Sequence, residues 1–440
     1  MAEKIVKVGL VGFGTVGSGV AKIILENNDE IAVRTGLRLE LVCVVDKDTT
    51  TPRAVTLPAG ILTGDVNRLL NDNSIDIAIE LVGGTTFAKD LQIKMLQSGK
   101  HVVTANKALL AKYGTELRKV AAENNKCIAF EASCAGGIPI ISAIRTSLAA
   151  NNIEAMYGIV NGTCNYILSN MTVKNEDFAT ALKQAQKKGY AEADPTLDIN
   201  GGDSAHKLII LSSLAFGYEL KLEDVYVEGI DGIAKDDINY GGEMGYILKL
   251  LAIGQKDPDG KVSLKVKPSF IAKDNPLAKV DGSFNAVSVF GSAVGQLTFY
   301  GRGAGMMPTA SAVVADVIEV GLGNSERSFR ATSLKPREQV LPLIKEIGNT
   351  VSRFYIRMMV KDEPGGLARY SQVLAKHNIS ISGVLQREGS GPDNTVPIVI
   401  TTHRTRQQQI TAAMEDMKGL DVVSGKPVCI SIVDMPEDTD

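Results

Sequence analysis

The sequence predicts an α/β chain in three parts: a doubly wound parallel sheet over residues 1–131, an α+β region over 132–301, and a βαββαβ unit over 352–440. Three observations predict it. Short β-branched apolar runs alternate with amphipathic stretches through the first part, the pattern of strands joined by crossover helices. The alternation becomes irregular after Glu131. A fresh strand–helix series then starts near Arg353 and closes before the chain ends.

Residues 5–11 (IVKVGLV) read as a buried strand, followed by a glycine turn and a helix to about Leu25. Residues 27–38 read as an insertion. Strands are expected at 39–45, 76–82, 101–104 and 127–131, with helices at 88–98 and 108–124. Gly99 stands where a helix-ending glycine belongs. Parallel strands with such connections cross over right-handed.

Pro139 is expected in the first turn of a helix over 139–150. A strand at 153–161 follows, then helices at 176–188, closed by Gly189, and at 203–216. Strands are expected at 262–272, 285–290 and 295–301. Pro308 opens a helix to about Val320, within a segment, 302–325, that returns to the first domain. Residues 326–351 read as a polar connector. The last unit is strand 353–360, helix 366–377, strands 379–387 and 396–402, helix 406–417 and strand 428–433.

Composition excludes several classes. Lys plus Arg number 47 against 50 Asp plus Glu, a net charge of −3, without the basic footprint of a nucleic-acid binder. No apolar run reaches the roughly 18 residues of a membrane span, and the N-terminus has no signal-peptide pattern. Five scattered cysteines without a CxxC pair fit free thiols in a reducing cytoplasm, not a disulfide framework or a zinc site.

Gly12-Phe13-Gly14-Thr15-Val16-Gly17 matches G-x-G-x-x-G between the first strand and its helix. A lone match is weak and reads as a flexible turn; in this context it predicts a Rossmann-type dinucleotide site with pyrophosphate on the helix N-terminus. At the end of the second strand Asp46 suits the ribose hydroxyls of NAD. Lys47 and Arg53 suit the 2′-phosphate of NADP. These two cations favour NADP, though either is also an ordinary solvated loop charge. Lys107 follows the strand end His101–Thr104, where parallel sheets present ligands, and Asp203 and Lys207 are four apart on a helix and share a face.

Several blocks carry a family resemblance: GFGTVG (12–17), TANKALL (104–110), FEASCAGGIPII (130–141), NGTCNYIL (161–168), GYAEADPTLDINGGDSAHKL (189–208) and GRGAGMMPTASAVVAD (301–316). Over essentially its whole length the chain resembles homoserine dehydrogenase of the monofunctional kind with a C-terminal ACT domain. The resemblance implies reversible reduction of L-aspartate 4-semialdehyde to L-homoserine with NAD(P)H, in threonine, methionine and isoleucine biosynthesis.

Carried onto matching positions, Lys207 is the proton donor, Lys107 contacts the nicotinamide end of the cofactor and the substrate carboxylate, and Glu192 and Asp203 hold the substrate. Thr104, Gly189 and Gly303 border the cofactor. Glu131 with the carbonyls of Cys134, Gly136 and Ile138 forms a sodium site. Asp362, Gly366 and Leu367 lie at the ACT strand-to-helix turn, where an amino acid, usually threonine, is expected. ACT sheets usually pair, which implies a homodimer or homotetramer.

Two rival readings stay open. Cys164, in NGTCNYIL, raises an acylating or phosphorylating semialdehyde dehydrogenase with a cysteine nucleophile. A non-catalytic nucleotide and amino-acid sensor would keep the three glycines but not Lys107, Glu192, Asp203 and Lys207 together. Without the surrounding motif, Asp203 and Lys207 are a surface helix pair worth ~0.3–0.5 kcal/mol.

Overall fold

A computed structural model describes residues 3–333, 343–387 and 395–436 of the chain, with the side chains of 330–333 left aside. Contacts divide it into two compact units, one of residues 1–156, 203–223 and 284–342, the other of 157–202, 224–283 and 343–440. Each compact unit gathers three separate stretches of the chain.

The first unit begins with β1 (Lys4–Val11), α1 (Thr15–Glu26), α2 (Asn28–Thr35), β2 (Leu37–Val45), β3 (Leu62–Thr63), α3 (Asn67–Leu70), β4 (Ile77–Glu80), α4 (Thr86–Gln97), β5 (His101–Thr104), α5 (Lys107–Glu123) and β6 (Ile128–Ala129). The strands form one parallel sheet in the order β3-β2-β1-β4-β5-β6. Chain order reverses beside β1, which opens a crevice at the carboxyl ends of β1 and β4. The expected insertion is the helix α2, ended by Gly36 at φ +73, and β2 starts earlier than expected, at Leu37.

Beyond β6 the expected strand shortens, because Glu131–Ser133 turn into a 3-10 helix held where the Glu131 N–H donates to Asp316 Oδ2 at 2.7 Å. Pro139 is the N-cap of the next helix and not part of its first turn. That helix runs Ile140–Ser142 and widens into a π turn over Ala143–Ser147. The helices Gly202–Phe216 and Met306–Gly321 and the hairpin Phe284–Gly291/Gly295–Arg302 complete the unit. Part of the expected connector is the helix Asn324–Ser333, seated through buried Ser325 and Phe329; residues 334–342 lie outside the described ones.

In the second unit, Tyr246–Lys256 pairs antiparallel with Val262–Ala272. The C-terminal βαββαβ unit is present as expected, with sheet neighbours Val423–Ile432, Val351–Lys361, Thr395–Thr402 and Ile381–Gln386. Its last strand also pairs in parallel with Val262–Ala272. Its core is built by Phe354, Ile356, Tyr370, Leu374, Ile398 and Ile410 with their neighbours. No helix among the described residues is long and apolar enough to cross a membrane.

Candidate active site

The glycine loop shows three different demands. A Cβ on Gly12, whose φ is +98, would lie 2.7 Å from the Leu81 carbonyl, and one on Gly17 would lie 2.0 Å from the Gly12 carbonyl oxygen. Both positions therefore exclude any side chain. A Cβ on Gly14 would meet nothing within 4 Å, so the backbone there faces open space. Gly14 caps α1 without a side-chain hydrogen bond, leaving first-turn N–H groups suited to a pyrophosphate. Phe13 is buried while Thr15 is exposed and Val16 half-buried.

Asp46 closes the loop from the end of β2, its Oδ2 accepting the Phe13 N–H at 2.5 Å and its Oδ1 the Asp48 N–H at 2.9 Å. Lys47 is exposed. Arg53 donates to Asp48 Oδ2 at 3.0 Å, and its buried Nε finds no partner among the described residues. Hydrogen bonds from the Thr51 hydroxyl and from the Thr51 and Thr50 amides hold the Asp48 carboxyl well below the usual range.

At the other end of the crevice, Asn106 caps α5 by accepting the Leu109 N–H at 3.1 Å, and Lys107 is the first helical residue. The Lys107 Nζ lies 3.0 Å from Asp203 Oδ1, and the Lys207 Nζ 2.7 Å from Asp203 Oδ2. One carboxylate thus bridges two ammonium groups that are far apart in sequence. Asp203 is 4% exposed and the Lys207 side chain 11%, so the pair is no surface contact. Two cations on one anion leave excess positive charge, suited to a substrate carboxylate or a developing alkoxide.

His206, missed in the sequence reading, sits within electrostatic range of Asp203 and both lysines, and burial lowers its pKa. Only its place in the block 189–208 could have drawn attention to it.

The remaining expected residues fall in several places. Thr104 is fully buried, with its hydroxyl committed to Glu80 and Asn106. Glu131 is 6% exposed and both its carboxylate oxygens accept helix-start N–H groups, from Ile141 and Ser142, each at 2.8 Å. Burial pushes its pKa up, partly opposed by those two bonds. Gly136 packs on Gly303, where a Cβ would lie 2.5 Å from the Gly303 carbonyl, and the Ile138 carbonyl accepts the Ile140 N–H.

Gly189 (φ +74) and exposed Glu192 follow the helix Phe178–Lys187 in the second unit. Gly366 and Leu367 open a C-terminal helix whose N-cap, Gly365, is left-handed, and Asp362 precedes it on an exposed turn.

Neither cysteine near these motifs is set up as a nucleophile. Burial raises the Cys134 thiol to about 12, and its Sγ rests 3.8 Å from the Lys207 carbonyl. Cys164 is buried and donates to the Asp198 carbonyl at 3.2 Å.

A glycine loop on a Rossmann-type sheet, with Lys107 just beyond the carboxyl end of β5 and ion-paired to buried Asp203, defines an NAD(P)-dependent oxidoreductase. The family comparisons narrow this. The chain matches the models for the homoserine dehydrogenase NAD-binding domain over residues 12–131, homoserine dehydrogenase over 139–318, and the ACT domain over 354–421. It is 42% identical to the homoserine dehydrogenase of Neisseria gonorrhoeae over 97% of this chain and 98% of that one. Identity to that of Pseudomonas aeruginosa is 41%, over 98% and 99%.

Among solved structures, a homoserine dehydrogenase from Thiobacillus denitrificans superposes with a TM-score of 0.91 at 40% identity, covering 98% of this chain and 99% of that one. A hyperthermophilic archaeal homoserine dehydrogenase mutant, solved in complex with NADPH, gives 0.59 at 28%, over 72% of this chain and 98% of that one. The chain belongs to the homoserine dehydrogenase family.

Proposed function

We propose that the chain interconverts L-homoserine and L-aspartate 4-semialdehyde with NADP(H), using Lys207 as the group that exchanges a proton with the substrate oxygen. The observation that carries this is the Asp203 carboxylate gripping both lysine ammonium groups, in the same compact unit as the open glycine loop. When bound, the nicotinamide supplies or accepts the hydride. In the reducing direction Lys207 Nζ stabilises the developing alkoxide and then gives it a proton; in the other direction it takes that proton back. Asp203 fixes where both ammonium groups point, so its oxygens serve the lysines first, a different setting from direct contact with the substrate ammonium.

An assay of homoserine oxidation with NAD and with NADP, each with and without threonine, tests the reading. No turnover with either cofactor would sink it. Inhibition by threonine supports an effector role for Asp362, Gly366 and Leu367 in an ACT domain that also pairs copies into a dimer or tetramer.

The unpartnered Arg53 Nε beside the end of β2 favours NADP. Changing Lys47 and Arg53 together to alanine is expected to raise the KM for NADP roughly tenfold or more, since charged hydrogen bonds are worth about 1.5–3 kcal/mol, and to leave that for NAD unchanged. A wild-type enzyme strongly preferring NAD would instead make Asp46 decisive.

Glu192 is assigned to the substrate ammonium. Glu192→Gln, which keeps shape but removes charge, should raise the KM for homoserine more than that for cofactor; equal effects on both count against the assignment.

For Glu131, the fit to a sodium ion rests on a buried carboxylate without an ion pair among the described residues. Its oxygens and the carbonyls of Cys134, Gly136 and Ile138 are hard donors with two lone pairs each, so a cation can share them with the existing N–H groups. Such an ion would brace the turn after β6 and take no part in proton transfer.

A further inference from the structure

Glu80 ends β4 and is 0% exposed. A carboxylate so placed costs several kcal/mol unless its lone pairs are met. Four donors meet them. Oε1 accepts the N–H groups of Val82 at 2.9 Å and Gly83 at 3.3 Å. Oε2 accepts Gln92 Nε2 and the Thr104 hydroxyl, both at 2.8 Å. An amide in place of the carboxylate would set its own N–H against one or more of these donors.

The network runs on from there. The Thr104 oxygen, its proton given to Glu80, accepts the Asn106 N–H at 3.0 Å. Asn106 caps α5 through Leu109 and donates to the Gly84 carbonyl at 2.7 Å. Gly83 and Gly84 lie at φ +70 and +71, a shape that consecutive glycines take without strain. The result is a closed ring through Glu80, the 82–84 backbone, Asn106 and Thr104.

Two parts of the site hang on this ring. Leu81 is the wall against which Gly12 packs, and Lys107 begins the helix that Asn106 caps. Resting on the reading of Lys107 above, we propose that Glu80 is a positioning residue for it. Its four-acceptor carboxylate locks the loops after β4 and β5 so that Lys107 meets Asp203 in one geometry.

The test is a double-mutant cycle on the full chain, with kcat, both KM values and thermal stability measured. Glu80→Gln is expected to lower kcat roughly tenfold to hundredfold, the range seen when a supporting partner or a 1 Å placement is lost. In a Lys107→Ala background the same change should lower kcat no further, because two residues acting as a unit are not additive. Thr104→Val removes the hydroxyl arm of the ring and leaves the arm through residues 82–84, so it should give a smaller loss of the same kind, which keeps the test open if Glu80→Gln fails to fold.

A Glu80→Gln enzyme that melts earlier but keeps its kcat overturns the proposal. So does a loss that multiplies in full on Lys107→Ala. A Lys107→Ala enzyme as active as wild type overturns it through its premise, a failure distinguishable because it appears before Glu80 is touched.

Discussion

Lys207→Ala is expected to lower kcat for homoserine oxidation by roughly 10²–10⁴-fold, the usual contribution of a positioned acid–base group, while cofactor affinity stays within a few-fold. The size follows from the setting. Lys207 lies 2.7 Å from a carboxylate that is itself buried, so water cannot easily replace the ammonium either as a proton donor or as a charge. The cofactor is assigned above to the loop of Gly12, Gly14 and Gly17, which is separate from the Lys207 helix. Steady-state kinetics and a fluorescence titration of the reduced cofactor check both halves. A variant turning over within a few-fold of wild type removes Lys207 from the chemistry.

Asp237→Ala is expected to destabilise the fold by about 3–5 kcal/mol, the range for removing one partner of a buried ion pair. Asp237 is 0% exposed and takes a two-pronged grip from Arg357, Nε to Oδ1 at 2.6 Å and Nη2 to Oδ2 at 3.0 Å. The Tyr355 hydroxyl donates to it at 3.1 Å. Alanine would leave a largely covered guanidinium and a buried hydroxyl with nothing to accept their hydrogens. That hydrogen bonding also holds the Arg357 pKa above its ordinary value, and burial pushes the Tyr355 hydroxyl upward. Urea unfolding followed by circular dichroism measures the loss. A shift below about 1 kcal/mol, the value of an exposed pair, shows that the grip is not maintained in solution.

The nucleotide half was readable in the sequence because each signal there is local. Strand runs, the glycine spacing and the asparagine or glycine at helix ends all act within a few residues. Asp203 and Lys207 were legible for the same reason, as neighbours one helical turn apart. Lys107 meeting Asp203 was not, since nothing local records which distant side chain closes on which.

The helix Gly162–Lys174 went unseen because Thr163 through Met171 are all buried, so no polar face marks the helical period. In Tyr246–Lys256 the lysine at 249 breaks the strand pattern; it is nevertheless 1% exposed, its ammonium held by the Val280 carbonyl at 2.6 Å and Asn165 Oδ1 at 3.1 Å. The helix Asn324–Ser333 is polar along most of its length and so looked like a connector.

The helix Met306–Gly321 sets a condition on how the chain acquires its shape during synthesis. It lies on the N-terminal sheet and on α1: a Cβ on Gly19 would fall 2.9 Å from the Ala310 methyl carbon, and one on Gly321 would fall 2.9 Å from Leu37. The ammonium of Lys4 donates to the Gly321 carbonyl at 2.7 Å. The strands that carry Lys4 and Leu37 therefore wait for a cover that ends 317 residues beyond Lys4 and leaves the ribosome much later. Until then the nascent sheet keeps an apolar flank open, the kind of surface that chaperones hold. The N-terminal sheet is thus completed only when a much later part of the message has been translated.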